Sequence, residues 1–367
     1  MISDFFQLAT HGVQGLHPYQ PGKPIEELER KYGIKNIIKL ASNENPLGPN
    51  PLVLKAIQAS LPKITRYPDG NAFELKKVLA QKHSISPDMI TLGNGSNDVL
   101  ELITRVFVSP TQSVIFSKHA FIVYFMVTQA IGAKAIITQT KQWGHDLTAM
   151  QAAIREDTRL IFIANPNNPT GTWLDKTSLK RFLDAVPKSV IVTVDEAYFE
   201  YASDNLDYPN TLKWLSNYPN LIVTRSFSKA YGLSGLRVGY SISHPNIANL
   251  LNRLRQPFNV NSLALAAATA AIADDDYLEK SIALNRAGMQ QLTDAFNHKK
   301  LSYIPSLGNF VSVNVGKGAK VYELLLRQGI ITRPLGGGYG MPQYLRVSIG
   351  LPEENEMFLQ ALDKVLN

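Results

Sequence analysis

Leu221-Ile222-Val223-Thr224-Arg225-Ser226-Phe227-Ser228-Lys229-Ala230-Tyr231-Gly232 joins an apolar run to a loop of hydroxyls, one lysine and a glycine, and continues through Leu233, Ser234, Gly235, Leu236, Arg237, Val238 and Gly239. The run Leu221–Thr224 reads as a buried strand, which puts Ser226, Ser228 and Lys229 at a strand's carboxyl end, where open α/β sheets bind ligands. Two hydroxyls on alternate positions, together with the guanidinium of Arg237, can clasp a phosphate: hydroxyls donate hydrogen bonds and arginine adds a planar fork of donors. A lysine that serves as a covalent nucleophile has to be fixed in place and give up its proton readily, and Lys229 stands where both are possible. Taken alone, the same residues also describe a strand entering a polar loop with one solvated lysine.

Strand and helix patterns alternate on both sides of this stretch. Strands are expected at Met89–Leu92, Ser113–Phe116, Ala135–Thr138, Leu160–Ala164, Val190–Val194, Leu221–Thr224 and Leu236–Ser241, with helices such as Asp98–Val108, Phe121–Ile131, Leu147–Arg155 and Asp175–Val186 between most of them. Alternation of this kind implies right-handed crossovers and an α/β domain, its mostly parallel seven-stranded sheet lying between helices. Beyond Asn246 the pattern turns to long helices, Ile247–Arg255 and Ser262 to about His298, broken at Asp274-Asp275-Asp276. A smaller α+β unit follows, with strand Phe310–Val315, helix Ala319–Gln328, strand Tyr344–Ser348 and a helix from Pro352. The expected division is an arm and part of the small domain at 1–45, a large domain at 46–260 and a small domain at 261–367.

The chain has 367 residues, more than one compact core usually holds, and its 45% hydrophobic residues permit a full interior. It has no cysteine, which excludes disulfides, thiolate metal sites and cysteine nucleophiles and is ordinary for the cytosol. Met1-Ile2-Ser3-Asp4-Phe5-Phe6 carries an early acid and no basic cap before an apolar core, so no signal peptide is expected, and no apolar run reaches membrane-spanning length. A cytoplasmic protein without a membrane partner is the expectation. Net charge is +7, but the 37 basic residues are scattered rather than gathered in a run, which favours a mildly basic enzyme over a nucleic-acid-binding protein.

Gly93-Asn94-Gly95-Ser96-Asn97-Asp98 lies between a strand and a helix, a place for an anion on free backbone N–H groups or for a simple helix cap. A dinucleotide fingerprint fails there, because Asp98 replaces the third glycine and Val114-Ile115-Phe116 supplies no acid for a ribose. Asn165-Pro166-Asn167-Asn168-Pro169-Thr170-Gly171 ends one strand as a rigid polar turn. Val194-Asp195-Glu196-Ala197-Tyr198 ends another, and its acid can be a helix cap, a charge partner or, least consistently with the missing cysteines and His/Asp/Glu clusters, a metal ligand.

In combination, Gly95-Ser96-Asn97, Asn168, Asp195 with Tyr198, Ser226-x-Ser228-Lys229 and Arg237 resemble the pyridoxal-phosphate aminotransferases of the aspartate aminotransferase fold over nearly the whole chain. Within them, His17-Pro18-Tyr19-Gln20-Pro21-Gly22, Asn43-Glu44-Asn45-Pro46-Leu47-Gly48-Pro49, Arg66-Tyr67-Pro68-Asp69 and Tyr344-Leu345-Arg346-Val347-Ser348-Ile349-Gly350 are similar to the histidinol-phosphate aminotransferases. The resemblance implies that Lys229 bonds pyridoxal 5'-phosphate, that Asp195 pairs with its ring nitrogen, and that Tyr198 and Asn168 donate to its phenolic oxygen. Tyr124 would stack on the ring, while Ser226, Ser228, Arg237 and the Gly95, Ser96 and Asn97 amides hold the phosphate, with Tyr67 reaching over from a second subunit of a homodimer. Arg346, Arg333, Tyr19 and Asn43 would meet the substrate. The implied reaction moves an amino group between histidinol phosphate and 2-oxoglutarate; aromatic or general aminotransferases and threonine-phosphate decarboxylases keep the same cofactor residues. One departure is His119-Ala120-Phe121-Ile122-Val123-Tyr124, where the family often has Pro-Thr-Tyr before the second tyrosine, so Phe121 keeps an aromatic ring without its hydroxyl.

Overall fold

The computed structural model of the chain describes residues 4–18 and 22–366. Seven apolar runs form one sheet: β1 (Ile90–Gly93), β2 (Ser113–Ser117), β3 (Lys134–Thr138), β4 (Thr158–Ala164), β5 (Ile191–Asp195), β6 (Leu221–Ser226) and β7 (Gly239–Ser243). Their spatial order is β1-β7-β6-β5-β4-β2-β3. Pairing is parallel from β3 through β2, β4 and β5 to β6, and β7 runs antiparallel to both of its neighbours. Leu160, Ile161, Phe162 and Ile163 are all fully buried with no in–out alternation, as expected of a sheet covered by helices on both faces. Leu75, Val192, Val223 and Tyr240 belong to the core on one face, and Leu100, Phe116, Phe162 and Leu251 to the core on the other.

The strand expected at Leu236–Ser241 begins later. Ser234–Leu236 form a 3-10 turn, and Arg237 follows in the left-handed region with φ 55°. That turn directs the guanidinium back toward Ser228, so regular pairing starts only at Gly239. The long helical tract divides into Ser262–Ile272 and Asp275–His298, where the Asp274 side chain caps the second helix by accepting from Tyr277 N at 3.0 Å. The first of the two packs on the Pro51–Ser60 helix and shares the core of the main sheet.

A second, four-stranded antiparallel sheet orders Tyr303–Ile304, Phe310–Asn314, Tyr344–Ser348 and Arg333–Pro334. Val321 and Leu325 of one helix and Phe358 and Leu362 of the last helix pack on its Val311 and Val347. The N-terminal segment joins this unit, because Ile38–Lys39 pairs in parallel with Ile330–Ile331. Ser312 Oγ donates to Pro169 O at 2.7 Å, and Leu307 N donates to Gly171 O at 3.0 Å. These bonds fasten the small sheet to the turn after β4, and the site lies at that junction.

Candidate active site

The turns after β4, β5 and β6 and the start of the helix after β1 open onto one cavity of about 280 Å³. Ser96, Asn97, Asn168, Asp195, Tyr198, Ser226, Ser228, Lys229 and Arg237 line it from the large domain, and Asn43, Arg333 and Arg346 line it from the small sheet and the segment joined to it. Residues more than 300 positions apart in the chain therefore meet beside the carboxyl ends of the parallel strands, where α/β sheets bind ligands.

Burial pushes the Lys229 ammonium down to about 8, with the positive charge of Arg346 adding to the effect. Its Nζ donates to Ser42 O at 3.3 Å and lies 5.6 Å from the centre of the Tyr198 ring. Asp195, the last residue of β5, is 5% exposed, and burial raises its carboxyl despite hydrogen bonds from Tyr124 OH (2.9 Å) and Thr224 Oγ1 (3.0 Å). Such a carboxylate, desolvated and aimed into a cavity, favours a protonated nitrogen opposite it. The Tyr198 hydroxyl accepts from Asn43 Nδ2 at 2.9 Å and Asn168 Nδ2 at 3.3 Å, and burial holds it neutral by pushing it up to about 12.

The helix Ser96–Phe107 starts with no side-chain cap, which leaves the Ser96 and Asn97 ends of its dipole for an anion. Gly95 takes φ 84°, and a Cβ there would collide with the Arg237 guanidinium. Arg237 Nη1 in turn donates to Ser228 Oγ at 3.5 Å and Ser234 O at 3.0 Å. An amine of lowered pKa, a buried carboxylate and a cradle of hydroxyls, helix start and guanidinium form the donor set that pyridoxal 5'-phosphate requires.

Arg333 and Arg346 are register partners on adjacent antiparallel strands, and both line the cavity. Arg346, 6% exposed, donates to Asn168 Oδ1 at 2.6 Å and Ala41 O at 2.7 Å. Asn43, expected beside the substrate, lines the cavity but directs its amide to Tyr198 OH and to Ser348 Oγ, from which its Oδ1 accepts at 3.0 Å.

One expectation changes. Tyr124 does not reach the cavity: it is fully buried, stacks on Phe162 at 4.5 Å and donates to Asp195. Phe121, the residue before the first turn of its helix, takes the lining position instead. Tyr67 lies outside the cavity of its own chain, 83% exposed and stacked on Phe258 at 4.7 Å. Tyr19 falls outside the described residues. Sequence reasoning missed Tyr339, which lines the cavity, and the buried ion pair of Glu196 with Arg225, whose Nη2 and Oε2 are 2.8 Å apart. A visible signal for that pair was an acid and a base beside Asp195 and Ser226, each at the end of an apolar strand.

The class I and II aminotransferase family matches residues 35–362. Histidinol-phosphate aminotransferase 2 of Pseudomonas aeruginosa is 57% identical over 100% of this chain and 99% of its own length. The chain belongs to the histidinol-phosphate aminotransferase family. Another relative of the family, histidinol-phosphate aminotransferase 1 of Nitrosococcus oceani, is 56% identical over 99% of this chain and 98% of its own. The crystal structure of histidinol-phosphate aminotransferase from Sinorhizobium meliloti in complex with pyridoxal-5'-phosphate superposes with a TM-score of 0.89 at 31% identity, covering 97% of each chain. The fold expected from the sequence is thus the fold of the family.

Proposed function

We propose that the chain transfers an amino group between histidinol phosphate and 2-oxoglutarate in histidine biosynthesis, with pyridoxal 5'-phosphate as cofactor. The observation that carries the substrate is the pair of arginines, Arg333 and Arg346, on one wall of the cavity that holds Lys229. When bound, the cofactor supplies an aldehyde that exchanges amino groups and a protonated ring that accepts electrons from the substrate carbon. Ser226, Ser228, Arg237 and the Gly95, Ser96 and Asn97 amides hold its phosphate, and Lys229 holds it covalently. Asp195 keeps the ring nitrogen protonated, and Tyr198 and Asn168 donate to the phenolic oxygen. Lys229 would move the proton at the amine-bearing carbon. Phe121 lines the cavity in place of Tyr124.

A phosphate monoester carries close to two charges at neutral pH, so it can engage two guanidiniums where a carboxylate satisfies only one fully. Arg333→Ala is therefore expected to lower kcat/KM for histidinol phosphate by roughly ten- to a hundredfold, the worth of one hydrogen bond to a charged group, and to spare glutamate more. A substrate panel of histidinol phosphate, glutamate and an aromatic amino acid checks this. Equal losses for all of them would remove Arg333 as the selector.

The reading includes a cytoplasmic homodimer with shared sites. Among the described residues no helix is long and apolar enough to cross a membrane. Support for the dimer comes from Tyr67, 83% exposed in a stretch of chain that also exposes Ile64 at 60% and Phe73 at 65%, apolar side chains that a second copy would cover. Mixing Tyr67→Phe with Lys229→Ala subunits should regain activity, since one site of each mixed dimer carries neither change. No recovery after confirmed subunit exchange would count against sharing. The division at 1–45, 46–260 and 261–367 is also part of this reading, although packing of Ser262–Ile272 on the large domain favours a junction nearer Asp274, a point limited proteolysis would decide.

A further inference from the structure

Tyr339 sits in the glycine-rich loop that joins Arg333 to Arg346, Pro334-Leu335-Gly336-Gly337-Gly338-Tyr339-Gly340, and lines the cavity together with Phe121. Glycines alone would leave such a loop mobile. Here one side of it is pinned to the large domain. The carbonyl of Tyr339 can only accept, so the 2.7 Å contact with buried His119 fixes the proton on Nδ1 of that imidazole. His119 is held in turn, with Asn167 Nδ2 donating to its carbonyl at 2.8 Å and the Trp143 ring tilted against its own at 5.3 Å. Burial lowers the His119 pKa, so the imidazole stays neutral and the Nδ1–H donor persists at neutral pH. Gly338 passes so close to the large domain that a Cβ there would come within 3.2 Å of Ile122 Cδ1.

The two arginines fix where an anionic group goes. A substrate anchored there has its remaining body against the walls beside them, and those include two aromatic rings, Phe121 and Tyr339. An aromatic wall recognises a planar ring, which an imidazole offers and glutamate lacks. We propose that Tyr339 is a specificity-determining residue that packs against the ring of the amino substrate, and that His119 is a positioning residue that holds Tyr339 there through its backbone carbonyl. This rests on the proposed substrate.

Single-turnover half-reactions of the holoenzyme, followed by cofactor absorbance, separate binding from chemistry for each amino donor. Tyr339→Ala is expected to raise the apparent Kd for histidinol phosphate roughly three- to tenfold, the worth of one aromatic contact, and to leave that for glutamate unchanged. Tyr339→Phe should stay near wild type, because the ring and not the hydroxyl makes the contact. His119→Ala should move the same substrate in the same direction, and His119→Asn, which keeps an N–H donor, should restore it. Equal weakening for both donors, or no weakening in Tyr339→Ala, overturns the role of Tyr339. A His119→Ala protein with wild-type Kd values, or one that His119→Asn does not rescue, overturns the role of His119. Failure of the wild-type enzyme to turn over histidinol phosphate would instead sink the proposed substrate, and the split would then be read with phenylalanine as the ring-bearing donor under the same outcomes.

Discussion

Lys229→Ala is expected to lower turnover by at least about 10⁴-fold, the upper end of what one positioned base contributes, while the protein still takes up pyridoxal 5'-phosphate. The phosphate donors Ser226, Ser228 and Arg237 are untouched by the change, so cofactor binding weakens without vanishing. The chemical loss is large because no second amine stands ready to replace the first. Among the lysines of the described residues, Lys229 is the one that lines the cavity. Its lowered pKa matters directly. At pH 7 an ammonium with a pKa of about 8 is neutral in roughly one molecule in ten, against about one in three thousand for an ordinary lysine. Borohydride reduction of the wild-type holoenzyme followed by peptide mapping should label Lys229. A label on another lysine, or a Lys229→Ala enzyme within about tenfold of wild type, would sink the assignment.

The second large effect falls on stability. Glu196 is fully buried, and its Oε2 accepts from Arg225 Nε at 3.0 Å and Nη2 at 2.8 Å, while Arg225 is only 3% exposed. Glu196→Gln leaves a buried guanidinium without its counter-charge, which costs about 3–5 kcal/mol, a large part of the ~5–15 kcal/mol that holds a typical domain folded. Glu200 modifies the result. It lies in the same buried cluster, its Oε2 makes no hydrogen bond among the described residues, and burial holds its carboxyl up to about 7. Protonated, Glu200 cannot replace Glu196; ionised, it becomes a substitute partner for Arg225. Part of that upward push comes from Glu196 itself, so in Glu196→Gln the Glu200 carboxyl ionises at lower pH, and the loss should be greatest in acid and shrink as pH rises toward 7. Denaturant unfolding of both proteins at several pH values measures it, and a loss under about 1 kcal/mol throughout would show that the pair is not needed as a unit. Replacing both partners by apolar residues of matched volume should recover much of the stability, as no charge then stays buried.

Much of this was legible because each apolar run that became β4, β5 or β6 ends directly in the residues that carry chemistry, so strand order in the chain also ordered the site. Local pattern failed where geometry depends on contacts distant in sequence. Arg237 reads as part of a strand until its backbone turns left-handed to reach Ser228 and Gly95. Phe121 and Tyr124 are three residues apart, nearly one helical turn, and the sequence does not say which of two such rings faces the cavity. The structure turns Tyr124 under Asp195 and leaves Phe121 at the surface of the pocket. The two-residue pairing of Ile38–Lys39 with Ile330–Ile331 spans almost the whole chain and has no local signature.

Arg346 does not wait for its ligand in water. Its two terminal nitrogens already hold Asn168 Oδ1 and Ala41 O. An anion that takes over either bond displaces a neutral acceptor rather than a hydration shell. Asn168, which accepts from Arg346 through its oxygen, donates through its nitrogen to the Tyr198 hydroxyl, so a single amide joins the anion pole of the cavity to the phenol beside Lys229.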